Sequence, residues 1–235
     1  AGDSVQESLT KSAKLRTGKI AEIFSGGERF FRDDLALRNG GSAMIYLKGQ
    51  VNVEERAEGQ VQVMGVSEDF WDFAPQETSV DLSSFDAAIS GPLARALNLE
   101  EGDSAVVRLQ KPGLLSRDAP LSGESESVSS MRITVAKILS DEEFGRFSLE
   151  QTQVPPSSVF VPLKRLQKVL DLNGKANALL LNEDESFHPE KLELADYGIS
   201  VVEVPEGVEV RSERIFMGPR IAEKIKGEPV LTYLI

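Results

Sequence analysis

The chain has 235 residues, of which 40% are hydrophobic and 27% charged, so it can bury a core of ordinary size. Its net charge of −12 argues against binding to nucleic acid and against electrostatic docking on anionic lipid. Because it has no cysteine, disulfides, thiolate metal sites and cysteine nucleophiles are excluded. It contains neither a run of roughly 18 apolar residues, the minimum for a spanning helix, nor a signal-peptide pattern at its start.

The amino-terminal part predicts a helix over Asp3–Gly18, a strand over Ile20–Phe24 and a second helix over Glu28–Arg38. Alternating apolar residues then predict strands within Ser42–Val66, because every second side chain of a half-buried strand faces the core. Gly59 lies in a polar stretch between two of these runs. An antiparallel pair with its turn near Gly59 is therefore expected.

The segment Gly65–Trp71, GVSEDFW, combines an N-cap serine and the acidic residues of a first helical turn with two aromatic residues. It predicts a short helix at the end of a strand. Two interpretations of Phe70 and Trp71 stay open: an aromatic plug that fills the end of a sheet, or a patch that contacts a partner protein.

A strand–helix–turn–strand order is predicted over Ala87–Leu109, where a Gly-Asp turn precedes the last strand. The stretch Pro112–Ser130 is rich in Ser, Gly and Pro and predicts a surface loop. A further strand is predicted over Met131–Leu139.

The long connection Ser140–Pro156 carries three large apolar side chains. Long loops without regular structure are uncommon in compact domains and are often functional. The three side chains either pack against their own lobe or, with the aromatic pair upstream, face a partner. The candidate partner-contact residues are therefore Phe70, Trp71, Phe144, Phe147 and Leu149.

The segment Val154–Leu181 predicts the most distinctive unit of the chain. After a Pro-Pro turn, a short strand over Val159–Val161 ends at Pro162, which also suits the first turn of a helix. An amphipathic helix follows, closed by Gly174, and another strand begins near Ala176. Beyond this unit, the sequence predicts a helical stretch over His188–Tyr197, strands over Ile199–Val204 and Val208–Val210, and a last helix over Pro219–Ile225.

The chain offers few groups for catalysis or metal binding. It has one histidine, His188, so any catalytic triad would have to use that residue. A zinc site would lack a second histidine, and the chain has no cysteine to replace it. The Gly-x-Ser-x-Gly and P-loop patterns are absent from the sequence. The adjacent acidic residues Glu142-Glu143 and Glu183–Glu185 could serve a calcium site or a glycosidase, but adjacent loop carboxylates are usually solvated. The sequence therefore predicts no catalytic residue, no metal and no cofactor.

In their order and residue patterns, these segments resemble the extracytoplasmic core domain of MacB-like and FtsX-like ABC-transporter permeases. The family has a strand of the form V-[YF]-V-P-L that leads into a helix, matched here by Val159–Leu163, and a G-V-[SD]-x-x-[FY]-[FW] step, matched by Gly65–Trp71. It also has a Leu-Ala-x-x-Leu helix before a Gly-Asp turn, matched within Ala87–Leu109. The resemblance runs from Asp3 to about Leu181 and supplies no catalytic residues.

The resemblance implies an α+β fold with two lobes, built of mixed sheets and short helices. A porter-like lobe would consist of residues 1–85 and 177–235. A small α/β lobe, residues 86–176, would be inserted between these two segments. Residues 177–235 could also continue a longer ectodomain.

The resemblance further implies a non-enzymatic role at the inner membrane of a bacterial cell, with this domain on the extracytoplasmic, periplasmic side. ATP hydrolysis would occur on a separate cytoplasmic ATPase subunit, and the domain would relay the motion of membrane helices to a substrate or envelope partner. Its partners would be its own transmembrane helices, that ATPase, a second permease copy and an envelope adaptor or lipoprotein, with no nucleic acid. The abrupt ends of the chain suggest a piece of a longer protein.

Two other classes of protein stay open. A periplasmic solute- or peptide-binding module would hold its ligand in a cleft lined by the aromatic residues named above. A carboxylate-dependent hydrolase would use the side chains of Asp141–Glu143. No residue of the sequence selects between a lipoprotein, a peptide and a small molecule as transported cargo.

Overall fold

The computed structural model describes residues 13–112, 128–150, 154–205 and 207–212. The strands in these ranges are β1 (Glu22–Ser25), β2 (Phe31–Arg32), β3 (Ser42–Val53), β4 (Arg56–Val66), β5 (Asp86–Ser90), β6 (Ser104–Gln110), β7 (Val128–Leu139), β8 (Ser158–Pro162), β9 (Lys175–Ala176), β10 (Ala178–Leu181), β11 (Ile199–Val204) and β12 (Gly207–Ser212). The α-helices are α1 (Asp34–Asn39), α2 (Gly91–Leu97) and α3 (Leu163–Leu170), and residues 13–17 are also helical. Short 3₁₀ helices span Glu68–Phe73, Asp141–Glu143, Pro189–Lys191 and Leu194–Tyr197. Within the described ranges, no helix has the length and apolar character needed to cross a membrane.

Three sequence predictions lie wholly or largely outside the described residues. The helix predicted over Asp3–Gly18 is described only from residue 13, and most of the loop predicted over Pro112–Ser130 falls in the gap before β7. The helix predicted over Pro219–Ile225 lies entirely outside.

Six strands close into a barrel. Eight strands form one mixed sheet in the order β1-β10-β3-β4-β8-β5-β7-β6, and β6 also pairs with β3. This last pairing joins Gly49–Asn52 to Val106–Leu109 and closes the ring β3-β4-β8-β5-β7-β6. The pairs β4–β8 and β5–β7 are parallel, and the other pairs in the ring are antiparallel. The mixed sheet with its short helices makes this an α+β fold, as the sequence predicts.

Neighbouring residues of the same strand face two different cores. The core inside the barrel includes Val63 and Val159, together with buried residues of β6 and β7, namely Ala105, Val107, Leu109, Met131, Ile133 and Val135. A second core, against the outer face of the same strands, includes Met64 and Phe160. The side chains of Val63, Met64, Val159 and Phe160 are fully buried. This alternation follows from the two-residue period of a strand, and it means that β8 and the buried half of β4 are covered on both faces.

The hairpin between β3 and β4 turns at Glu54 and Glu55, where Glu54 adopts a φ of 50° and Val53 pairs with Arg56. Gly59 lies inside β4, so the prediction of a turn near Gly59 is wrong. The reason is that the first residues of β4 extend beyond the core into solvent, where no apolar alternation marks the strand.

The helix predicted over Glu28–Arg38 is correct only in its second half. Phe31 and Arg32 form β2, which pairs with β9, so α1 begins at Asp34. Phe31 packs into the barrel core and is 5% exposed. Its strand conformation depends on pairing with β9, which is far away in the sequence. The local residue pattern cannot indicate such a partner.

The strand–helix unit predicted in Val154–Leu181 is confirmed. β8 runs parallel to β4, ends at Pro162 and leads directly into α3. Leu163, Leu166 and Leu170 of α3 are buried against the barrel core. One detail differs: Asp171, with a φ of 58°, caps the helix in place of Gly174.

The predicted lobe boundaries near Asp86 and Ala176 do not coincide with a break between sheets. β3 and β4 belong to the first predicted segment, and they pair with β6 and β8 of the predicted inserted lobe. In the part of the chain that the structure describes, one sheet therefore joins both segments. The division into a porter-like lobe and an inserted lobe stays a prediction.

Candidate functional site

Four of the five candidate partner-contact residues form one aromatic cluster. Phe70 lies at its centre, with its ring centroid 5.1 Å from that of Trp71, 5.0 Å from Phe144 and 5.2 Å from Phe147. None of these four side chains is more than 4% exposed, and Leu149 lies partly exposed at the margin. The packing interpretation therefore accounts for the aromatic residues. Contact with a partner stays a prediction, and in this conformation Leu149 alone offers it an exposed surface among the five.

The loop after β7 is held over this cluster by polar contacts. Ser140 and Glu143 form a reciprocal capping box at the start of the loop. Lys137 Nζ donates to Glu143 Oε1 at 2.6 Å, and this hydrogen bond lowers the pKa of Glu143, although burial opposes it. Further along, Gln62 Nε2 donates to the buried Ser148 Oγ at 2.9 Å. The loop is thus fixed at both of its described ends.

The amino-terminal segment is anchored on the same cluster through Gly18 and Lys19. Gly18 has a φ of 59°, and a Cβ atom there would overlap the carbonyl oxygen of Phe73 and lie 2.8 Å from the Phe144 ring. Lys19 N donates to the same carbonyl oxygen at 2.8 Å, and Lys19 Nζ donates to the carbonyl oxygen of Asp72 at 3.0 Å. The helical residues 13–17 therefore end directly on the aromatic cluster, at a position that requires glycine.

The carboxy-terminal segment is anchored by Arg38 of α1. Arg38 Nη2 donates at 2.9 Å to both carboxylate oxygens of Asp196, whose side chain is 1% exposed. The same guanidinium pairs with Asp34 at 3.2 Å and with Glu193 at 3.5 Å. Burial alone would lower the pKa of Arg38, but the hydrogen bonds to Asp196 and Asp34 raise it above its usual value. This cluster holds the segment that leads into β11 and β12 against the body of the protein.

Sequence reasoning missed this arginine cluster. The i, i+4 spacing of Asp34 and Arg38 on a predicted helix was a local signal that could have drawn attention to it. Asp196, however, lies 158 residues further along the chain. No local pattern links it to Arg38, so the decisive contact follows only from the tertiary structure.

His188 lies in a hydrogen-bonded row of three side chains. Its Nδ1 is 2.9 Å from Glu190 Oε1, and its Nε2 is 3.5 Å from Ser186 Oγ. The catalytic triad of a serine hydrolase has the same order, in which a histidine lies between a serine hydroxyl and a carboxylate. Here Ser186 and Glu190 are exposed, and the backbone N–H groups on either side of Ser186 already donate to other residues. Neither of these two N–H groups is free to stabilise an oxyanion, so we assign the row to surface hydrogen bonding.

The carboxylates that a hydrolase would use do not converge. Asp141 pairs with Arg146 at 2.8 Å and Glu143 pairs with Lys137 at 2.6 Å, whereas Glu142 is exposed. Among the residues that the structure describes, no group of three or more acidic or histidine side chains could hold a metal ion. Asp141 and Glu143 therefore lie in surface ion pairs, and Glu142 faces solvent.

An open pocket of about 220 Å³ lies where the amino-terminal segment meets the 3₁₀ helix Glu68–Phe73. The binding-module alternative expects a cleft lined by the aromatic cluster, yet none of the four clustered aromatic residues lines this pocket. The pocket is lined by Lys19, Gly40, Gly41, Asp69, Asp72, Phe73 and Asn182. It therefore gives that alternative no support.

No protein-family model matches the chain, and no curated protein matches it. Among solved structures, the extracellular domain of the ABC-type transporter YknZ from Gram-positive bacteria is similar, with 10% identity, a TM-score of 0.38 and coverage of 74% of this chain and 72% of that one. The periplasmic region of MacB from Actinobacillus actinomycetemcomitans is 8% identical, with a TM-score of 0.42 and coverage of 68% and 72%. A domain assigned to a permease protein of Porphyromonas gingivalis is 12% identical, with a TM-score of 0.39 and coverage of 86% of both chains. At these identities the likeness concerns the fold alone.

Proposed function

We propose that this chain is the extracytoplasmic domain of an ABC-transporter permease subunit. It relays ATP-driven motion of membrane helices to an exported or extracted substrate, or to an envelope partner. The sequence resemblance in Gly65–Trp71, Ala87–Leu109 and Val154–Leu181 supports this proposal. The observation that carries it is the attachment of both ends of the described chain to one closed barrel.

A closed barrel suits the relay of motion because its strands have no free edge along the ring and the sheet resists shear. Helical residues 13–17 reach the barrel through Gly18 and the aromatic cluster. The segment leading to β11 and β12 reaches it through Arg38 on α1. A displacement applied at either segment would then swing the barrel as a rigid body.

In this proposal the domain has no enzymatic activity of its own, and ATP is hydrolysed by a separate cytoplasmic ATPase subunit. The domain stands on the extracytoplasmic side of the inner membrane. Its partners are its own transmembrane helices, a second permease copy and an envelope adaptor or lipoprotein.

The side of the membrane can be tested with single cysteines, since the chain has none of its own. Glu55→Cys lies at the exposed tip of the β3–β4 hairpin, and Ile45→Cys lies in the barrel core. In intact cells, a membrane-impermeant maleimide should label the full-length protein at position 55 and leave position 45 unlabelled until denaturation. Labelling of position 55 only after the cytoplasmic membrane is permeabilised would place the domain on the cytoplasmic side and end the proposal.

The relay itself can be tested with Arg38→Ala in the intact transporter. Loss of the anchor should reduce export while ATP hydrolysis continues, because the motor is a separate subunit. Arg211→Ala is the matched control, since Arg211 pairs with Glu209 in its own strand and does not reach the barrel. Equal export by the two variants would show that the anchor plays no part in the relay.

A further inference from the structure

Three adjacent strands of the barrel wall and one helix beside them contain no acidic residue. β3, β6 and β7 are neighbours in the ring, and α3 packs against β3 and β7. The absence of acidic residues is unexpected in a chain with 38 acidic and 26 basic residues. The same four elements carry seven basic residues, namely Lys48, Arg108, Arg132, Lys137, Lys164, Arg165 and Lys168.

Within the described ranges, three of these seven cations lie in ion pairs. Lys48, Lys137 and Lys164 each pair with an acidic side chain from another element. The other four make no ion pair with any residue that the structure describes. These four and one neighbouring aromatic residue define what we call the basic face: Arg108, Arg132, Arg165, Lys168 and Phe85.

The strand register places two of these arginines side by side on the outer wall. Arg108 lies opposite Ser130, and Arg132 lies opposite Val106, so the two arginines are diagonal neighbours. Both are exposed, whereas the alternate residues of β6 and β7 are buried in the barrel. Diagonal neighbours lie within reach of each other when their side chains are long, so the two positive charges repel.

The third arginine continues the face towards an exposed aromatic ring. Arg165 donates a hydrogen bond to the carbonyl oxygen of Arg132, and its guanidinium carbon lies 5.1 Å from the centroid of the Phe85 ring. Phe85 is 69% exposed. Burial lowers the pKa of the Arg165 guanidinium below its usual value, and the charge of Asp86 offsets this only in part. Arginine beside an exposed aromatic ring is the composition enriched at the centre of protein interfaces.

We propose that the basic face binds an acidic segment of a partner protein through its carboxylates. Three of the four cations are arginines, whose planar guanidinium groups match carboxylates with paired hydrogen bonds. The two barrel strands give Arg108 and Arg132 fixed positions, and the exposed Phe85 supplies an apolar contact beside Arg165. An anionic lipid surface is the less favoured occupant, because the rest of this acidic chain would be repelled by an extended plane of negative charge. This inference does not depend on the proposed transport role.

The test uses the whole 235-residue chain and two probes. The first is a fluorescein-labelled peptide of alternating glutamate and serine, measured by fluorescence anisotropy at low and moderate salt, with a lysine–serine peptide as the control of opposite charge. The second is vesicles of phosphatidylglycerol and phosphatidylcholine, measured by co-sedimentation. The test variant is Arg108→Glu with Arg132→Glu. Its matched control, Arg56→Glu with Arg95→Glu, makes the same change of charge at exposed arginines on other elements.

We expect the parent chain to bind the acidic peptide. The test variant should bind it with roughly tenfold or more lower affinity, and the control variant should bind it with the affinity of the parent. Thermal unfolding checks that both variants fold, and Arg108→Gln with Arg132→Gln replaces the test variant if it does not. Binding of the vesicles but not the peptide would identify the face as a lipid contact and overturn the proposal. Failure of the parent chain to bind the peptide, or equal loss in the test and control variants, would also overturn it.

Discussion

Arg38 on α1 donates two hydrogen bonds of 2.9 Å to the buried carboxylate of Asp196, 158 residues further along the chain. Removing the cation leaves that carboxylate without its charged partner. We expect Arg38→Ala to lower the free energy of unfolding by about 2–3 kcal/mol, because an uncompensated buried charge is costly. Amide hydrogen exchange should rise first in β11 and β12. Arg211→Ala should leave the exchange of α1 and its neighbours unchanged, and exchange in β11 and β12 that stays slow in Arg38→Ala would refute the anchoring role.

Leu166 tests the packing of α3 on the barrel. Its side chain is fully buried, and a Cβ atom on Gly65 of β4 would lie 2.9 Å from its Cδ2. Leu166→Ala should therefore cost about 3 kcal/mol, since the rigid barrel wall cannot collapse into the cavity. Leu37→Ala is the control, because Leu37 is 81% exposed and its loss should cost less than about 0.5 kcal/mol. Urea denaturation curves that coincide for the two variants would show that α3 is not packed as described.

Gly18 and Gly27 make a matched pair, with φ of 59° and 60°. An added Cβ meets the Phe73 carbonyl oxygen and the Phe144 ring at position 18, and nothing within 4 Å at position 27. Gly27→Ala should cost about 1 kcal/mol from backbone strain alone, and Gly18→Ala at least about 2 kcal/mol.

The single tryptophan reports the same contact. Trp71 lies in the aromatic cluster against which Gly18 packs. Gly18→Ala should shift its fluorescence emission, and Gly27→Ala should leave it at the parent wavelength. An unchanged emission in Gly18→Ala would show that the amino-terminal segment is not coupled to the cluster.

The lowered pKa of Glu143 should make the stability of the folded protein fall at acid pH. The hydrogen bond from Lys137 holds its pKa in the folded protein below the usual value of 4.5. A lowered folded-state pKa contributes stability that is present above pH 4.5 and is lost as the pH falls through the lowered pKa. Glu143→Gln should remove that part of the acid dependence, measured as the urea midpoint against pH. Glu142→Gln, at an exposed neighbour, should follow the parent curve, and parallel curves for parent and Glu143→Gln would exclude the effect.

Local signals in the sequence were enough to predict β8 and α3. Pro162 ends one element and starts the next, and the leucine spacing places Leu163, Leu166 and Leu170 on one buried face. The packing interpretation of Phe70 and Trp71 likewise followed from residue type and position. In each of these cases the deciding physics lies within a few residues of the chain.

The remaining features depend on contacts between distant segments. The strand at Phe31 exists because β9 pairs with it, and the barrel closes because Gly49–Asn52 meets β6. The turn at Glu54 lies on strands that project into solvent, so no apolar pattern marks it. The bond between Arg38 and Asp196, on which the proposed relay depends, is of the same long-range kind.

The central claim is that the barrel moves as one body when the transporter hydrolyses ATP. Its most direct test is the distance between spin labels at Glu55→Cys in two copies of the intact transporter, measured by pulsed electron paramagnetic resonance with and without nucleotide. A second pair, Glu55→Cys with Arg95→Cys in one copy diluted with unlabelled protein, reports motion within the barrel. We predict that nucleotide changes the distance between spin labels on different copies and leaves the distance between the two labels within one copy unchanged. A change within the barrel, or no change between copies, would contradict it.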